Sequence, residues 1–181
     1  RSLGSEMCIR DSDRFIGGGG MGVVFKAHDT LLSRTVAVKI LSRTDDDPET
    51  LRRFSNEAQS AAKLDHENIA RVFFVGQDHG WSYIVFEFVE GQNLRQMVME
   101  QGPLSLDLIM RYMYQLVRAV DHAATRKVIH RDIKPSNVLV TEDHRVKLVD
   151  MGLARTQRLN ADQELSLIHI SEPTRPRMSS Y

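Results

Sequence analysis

Cysteine is close to absent from this sequence. Cys8 stands alone among 181 residues, which excludes an internal disulfide and any CxxC pair for zinc or redox chemistry, and points to a reducing compartment. An excess of either charge is lacking too. With 24 Lys+Arg against 24 Asp+Glu the formal net charge is zero, so the totals give no polybasic face for nucleic acid or a membrane surface. No apolar run approaches the roughly 18 residues a bilayer-spanning helix needs, and the first residues have no apolar signal region. The expectation is a cytoplasmic chain with no nucleic-acid partner and no membrane segment of its own, whether or not a parent protein is anchored beyond residue 164. What is present suits a folded domain: 41% hydrophobic and 27% charged residues provide for a sizeable core.

The two ends stand apart. Gly4–Ser12 (GSEMCIRDS) and Leu165–Pro173 (LSLIHISEP) can be encoded by reverse-complementary DNA, a relation for which folding gives no reason. The pair resembles translated sequencing-library adapter, so residues 1–12 and 165–181 are read as adapter-like scar and residues 1–12 are expected to be disordered. Cys8 would then be foreign to the domain.

Between them, Val23–Phe25 after a glycine cluster and Thr35–Leu41 (TVAVKIL) have the β-branched content of strands. After the turn Asp45–Pro48, residues 49–64 place Leu51, Phe54, Ala58, Ala61 and Ala62 at helical three-and-four spacing. Two further strands are predicted over Ile69–Gly76 and Ser82–Val89, joined by a hairpin turn at Gln77–Gly80. From Leu104 the pattern becomes helical: Leu108, Tyr112, Leu116 and Val120, flanked by Ile109, Met113, Val117 and Ala124, form a long apolar stripe. Val138–Val140 and Val146–Val149 then read as short strands around the turn Thr141–His144. No internal repeat or low-complexity tract interrupts the chain.

The run Gly17–Gly22 contains GxGxxG, a weak signal alone, since glycine runs are often only turns. The dinucleotide-binding form needs a helix after the third glycine, and the Walker loop needs Lys-Ser/Thr after the last one; here Val23 and Val24 begin a strand. A glycine hairpin between strands leaves its backbone amides free to close over a triphosphate, which permits nucleotide binding without requiring it. Lys39 lies in an otherwise apolar strand, where an ammonium needs a carboxylate or phosphate partner; Glu57 on the amphipathic helix is the favoured one, and a lysine snorkelling from an edge strand is the alternative. Val128–Val140 (VIHRDIKPSNVLV), followed by VKLVDMG from Val146, sets polar groups close to buried strands. Asp132, Asn137 and Asp150 are hard oxygen donors suited to Mg²⁺ and a substrate hydroxyl, a set fitted to phosphoryl transfer.

With the glycine loop, VAVK, HRDxKxxN and DxG in order over nearly all of Asp13–Arg155, the chain resembles a eukaryotic-type protein kinase domain, the bacterial serine/threonine kinases in particular. The resemblance implies an α+β bilobal fold: a β-rich N-lobe with one helix over residues 13–90 and the beginning of a helical C-lobe over residues 91–164. It implies ATP and Mg²⁺ as cofactors. Gly17, Gly19 and Gly22 would cover the phosphates, Val24 and Ala37 would line the adenine pocket, and Lys39 would contact the α and β phosphates while pairing with Glu57. Phe86 resembles the gatekeeper and Glu87–Val89 the hinge, where backbone position should matter more than side-chain identity. Asp132 would be the catalytic base, Lys134 would neutralise the γ-phosphate and mark Ser/Thr specificity, and Asn137 and Asp150 would hold the metal. His130 would be a spine residue. Arg131 beside the base implies control by a phosphorylated activation loop, for which Thr156 is a weak candidate. The partners implied are a protein with a Ser/Thr acceptor and a second copy of the chain for autophosphorylation in trans.

Two departures stand out. Met151 replaces the usual Phe of DFG, a change an adaptable thioether tolerates, so metal binding is expected to persist. The activation segment and the later helices of the family do not follow Arg155, so the fragment as written is expected to be poorly soluble and catalytically weak or dead. Two other classes remain open at this level: a nucleotide-binding pseudokinase acting as scaffold, and a small-molecule phosphotransferase. Retention of Lys39, Asp132, Asn137 and Asp150 disfavours the first; the Lys134–Pro135 pair disfavours the second.

Overall fold

The structure is a computed structural model that describes residues 9–19, 22–41, 55, 58–59 and 61–150, with the backbone alone for 9–13 and 19. Its first half is an antiparallel sheet of five strands in the order β1-β2-β3-β5-β4. The strands are β1 (Ile9–Gly19), β2 (Gly22–Asp29), β3 (Arg34–Leu41), β4 (Val72–Asp78) and β5 (Trp81–Glu87). Alternation along β3 and β5 divides the sheet into two faces. Val36 and Val38 pack with Ala27, Tyr83 and Val85 on one face, while Leu41, Ile84 and Phe86 meet Ala58 on the other. Lys39, two residues from both Ala37 and Leu41, belongs to the second face.

Three turns shape this sheet. Buried Asp29 closes β2 to β3 by accepting from the amides of Leu31 and Leu32, both at 3.2 Å, and from Arg34 Nε at 3.1 Å. The β4–β5 connection is only His79 and Gly80, with φ of 49° and 79°, the pair of positive values of a type I′ hairpin. The predicted turn was wider, and Gln77 and Asp78 continue the strand instead. At the β1–β2 end, the last described pair is Gly19 with Gly22.

β1 takes in Ile9–Ser12, so the expected disorder of residues 1–12 does not hold for their last part. Backbone pairing is largely indifferent to side-chain identity, and β2 offers an open edge there: Ile9 pairs with Asp29 and Arg10 with His28. Of the helix predicted over residues 49–64, Leu51, Phe54 and Glu57 lie outside the described residues. Ala58 and Ala61 are buried as expected, but Ala62 is exposed and the buried face continues through Leu64 instead.

The second half begins with a two-residue strand β6 (Gln92–Asn93) and helix α1 (Leu94–Gln101). The sequence reading missed this helix, although its cap signals are visible: Asn93 accepts from Gln96 N–H at 2.9 Å, and Gly102 ends it at φ 83°. Helix α2 (Leu106–Thr125) is capped by Ser105 and buries Tyr112, Leu116, Ala119 and Ala123. Of its predicted stripe, Ile109, Met113, Val117, Val120 and Ala124 are exposed, because only the Tyr112–Leu116–Ala119–Ala123 line faces a neighbour. That neighbour is the small antiparallel sheet of β6, β7 (Val138–Val140) and β8 (Val146–Leu148). The two sheets are joined where Leu148 N–H donates to Asn68 O at 2.8 Å and Ala70 N–H donates to Leu148 O at 2.9 Å. A β-rich half and a partly helical half meeting along this seam are the predicted α+β arrangement.

Candidate active site

The upper wall of the cleft between the halves comes from the sheet's second face. In register, Val24 pairs with Lys39 and Lys39 with Ile84, while Ala37 pairs with Phe86. These cross-strand rows put Val24, Ala37, Lys39 and Phe86 on one surface. Lys39 is therefore on a central strand, flanked by β2 and β5, and is only 7% exposed. The edge-strand alternative is excluded. Its ammonium Nζ lies 2.8 Å from Asp150 Oδ1, a charge-assisted bond across the cleft. Glu57, the partner expected from sequence, is outside the described residues; the carboxylate seen on Lys39 is that of Asp150.

The glycine hairpin supplies the front edge. At Gly22, φ is 137° and a Cβ would come within 2.0 Å of the Ile40 carbonyl oxygen, so only glycine lets β2 lie this close to β3. At Gly17 a Cβ would meet nothing within 4 Å, and the residue lines the cleft.

The lower wall is the stretch from His130 to Asp150, held by backbone and ring bonds. His130, buried, donates from Nε2 to Val149 O at 2.9 Å and accepts at Nδ1 from Asp132 N–H at 3.2 Å, which uses both ring nitrogens in the neutral Nε2–H form. It is a strut between the two acid-bearing segments rather than a metal ligand. Asn137 sits in a short 3₁₀ turn (Pro135–Asn137), and its Nδ2 donates to Asp132 O at 2.8 Å and to Asp132 Oδ2 at 3.0 Å. Lys134 Nζ approaches the same Oδ2 to 2.7 Å. The hydrogen bond from Lys134 holds the Asp132 carboxyl below the usual carboxylate range, with a smaller contribution from Asn137; partial burial opposes both. Val149 N–H donates to Asn137 O at 2.9 Å, setting Asn137 beside Asp150. Arg131 and Asp150 both adopt left-handed backbone, with φ of 63° and 59°.

Together these walls enclose a cleft of about 820 Å³ counting its open mouth. Gly17, Val24, Ala37, Lys39, Phe86 and Asp150 line it, with Glu87, Phe88 and Val89 along the connection between the halves. Its apolar lining suits a flat heteroaromatic ring and the Lys39 ammonium suits an anion. Leu139, Val149, Ala70 and Asn93 also line it and were not identified from sequence. For Leu139 the signal was there, since alternation with buried Val138 and Val140 turns it to the other face.

Among the described residues no cluster of three His, Cys, Asp or Glu side chains is arranged to hold a metal. Asn137, with its amide nitrogen committed to Asp132, presents oxygen, and Asp150 offers a carboxylate. Two oxygen donors suit a hard divalent cation that completes its shell from phosphates and water.

Sequence and structure comparisons agree with this geometry. A family model described as "Protein kinase domain" matches residues 10–171. The chain is 41% identical over 170 residues to the serine/threonine-protein kinase PrkC of Bacillus subtilis, covering 91% of this chain and 26% of that protein. With PknA of Mycobacterium tuberculosis it shares 39% identity over 148 residues, 78% of this chain and 34% of that one. The crystal structure of the Mycobacterium tuberculosis PknI kinase domain superposes with a TM-score of 0.72 at 29% identity, covering 86% of this chain and 62% of that chain. The chain thus spans about a quarter of the length of the PrkC it matches.

Proposed function

Because the chain belongs to the protein kinase domain family, we propose that the protein containing it is a serine/threonine kinase that transfers the γ-phosphoryl group of ATP to protein hydroxyls, those of a second copy included. We infer a cytoplasmic reaction from the near absence of cysteine, which suits a reducing compartment. The carrying observation is the 2.8 Å Lys39–Asp150 contact, whose acid shares one wall with the Asp132–Lys134–Asn137 cluster through the Val149 N–H to Asn137 O bond.

Adenine fits the apolar end, where the backbone of Glu87–Val89 offers hydrogen bonds and Val24, Ala37 and Leu139 offer flat contact. Lys39 holds the α and β phosphates, and the backbone of the glycine hairpin covers them. Asn137 and Asp150 would hold the divalent cation, which we assign as Mg²⁺ and which would supply positive charge against the phosphates. Asp132, kept ionised, accepts a hydrogen bond from the attacking Ser or Thr hydroxyl and aligns it, while Lys134 stabilises the transferring group. The protein's contribution is positioning and charge, with no covalent intermediate on the enzyme.

The test is phosphate transfer from Mg·ATP to a basic protein by the uninterrupted protein and its Asp132→Asn variant. Transfer should fall by roughly three powers of ten in the variant while nucleotide binding persists. Absence of transfer by the unmodified protein, or equal transfer by both, would overturn the assignment.

A further inference from the structure

The acidic side chain at the start of the hinge has a partner in the other half. Glu87 ends β5, and its carboxylate meets Lys147 of β8, with Nζ 2.7 Å from Oε1 and 2.9 Å from Oε2. The same carboxylate accepts from Arg71 N–H at 3.2 Å, while Glu87 N–H donates to Arg71 O at 2.9 Å. Neither side chain is loosely solvated: Lys147 is 17% and Glu87 27% exposed. Lys147 pairs across the small sheet with Leu139, the floor of the cleft, and lies between buried Val146 and Leu148. Three residues later the same chain presents Asp150.

We propose that the Glu87–Lys147 pair is a positioning latch that fixes the distance between the adenine-binding hinge and the strand delivering Asp150. The inference rests on the proposed nucleotide site. Two walls meet ATP at opposite ends, the base at the hinge and the phosphates at Lys39 and Asp150. A fixed span spares the protein the cost of ordering its two walls when a flexible ligand must satisfy both. A half-buried lysine with both carboxylate oxygens in reach holds such a span better than an exposed pair would. The Lys26 ammonium, 4.7 Å from the centre of the Phe88 ring, braces the next hinge residue from the other side.

The test compares Mg·ATP with Mg·tripolyphosphate, which touches only the phosphate end, by calorimetric titration of the uninterrupted protein. Lys147→Met and Glu87→Gln should each weaken ATP by about tenfold and leave tripolyphosphate within twofold, with Lys147→Arg close to the unmodified chain. Equal ATP affinity in all four proteins overturns the latch, as does a parallel loss for both ligands, which marks a general weakening of the fold. Using two independent variants keeps the comparison alive if one of them does not fold. Failure of the unmodified chain to bind ATP is a different result, and removes the nucleotide site together with the latch.

Discussion

Asp132 illustrates how much one carboxylate's state depends on its neighbours. Its charge is secured mainly by the hydrogen bond from Lys134, with Asn137 second. A carboxyl whose folded pKa is depressed adds stability that is complete above its ordinary value of 3.8 and disappears as pH falls through the lower folded value. Near neutrality Asp132 is therefore fully ionised, and an acidic limb of the rate profile above pH 5 would have to come from another group. Replacing Lys134 by Met removes the largest stabilising contact, so the Asp132 carboxyl should titrate at higher pH than in the unmodified chain. Carboxyl-carbon NMR of labelled aspartate would read this directly, and an unmoved titration would show that Asn137 alone suffices. On the proposed reading, the side chain that neutralises Asp132 here would also meet the transferring phosphoryl group.

At the scale of elements, the pairing of β2 with β3 depends on glycine at position 22. Gly22→Ala would force a Cβ into the Ile40 carbonyl at a φ that L-residues avoid, and should cost about 2 kcal/mol or more. Gly17→Ala meets open space and should leave stability nearly unchanged while intruding on the cleft. Denaturant unfolding of the two variants would separate the glycine that the backbone requires from the one that it does not. Both belong to the same GxGxxG pattern, and the pattern alone does not distinguish them. Elements with strict alternation or rigid spacing were similarly readable: β3 around Lys39, β7, β8 and the catalytic loop lie where their residues suggested. The Lys39–Asp150 contact was not readable as such, because it depends on how two distant segments face each other; nor was the Glu87–Lys147 pair, for the same reason. Helix α1 was missed because its residues Leu94–Gln101 bury no side chain completely, leaving caps as the only strong local signal. In α2 the apolar content was plain, but hydropathy does not say which of two apolar lines faces a neighbour.

For the molecule as a whole, that second line matters. Ile109, Met113, Val117 and Val120 along α2, together with Ile129 and Ile133 beside the catalytic loop, are exposed apolar side chains on neighbouring segments. Contiguous apolar surface of this kind favours association in water. The 181-residue chain should show a concentration-dependent mass in light scattering, and Met113→Glu with Val117→Lys, which sets opposite charges one helical turn apart, should reduce it without loss of helix. A constant monomer mass in the unmodified chain would contradict this. No helix among the described residues is long and apolar enough to cross a membrane.

Lys39 and Asp150 are separated by 111 positions along the chain. The five strands around the lysine pair mostly with sequence neighbours and can assemble soon after they leave the ribosome, whereas the acid is made much later. During synthesis the ammonium must wait in a finished sheet for its counter-charge, solvated through the unclosed side of the cleft. The nascent chain thus acquires its shape before its chemistry, and a stalled or shortened product would leave the ribosome with a formed sheet but an incomplete site.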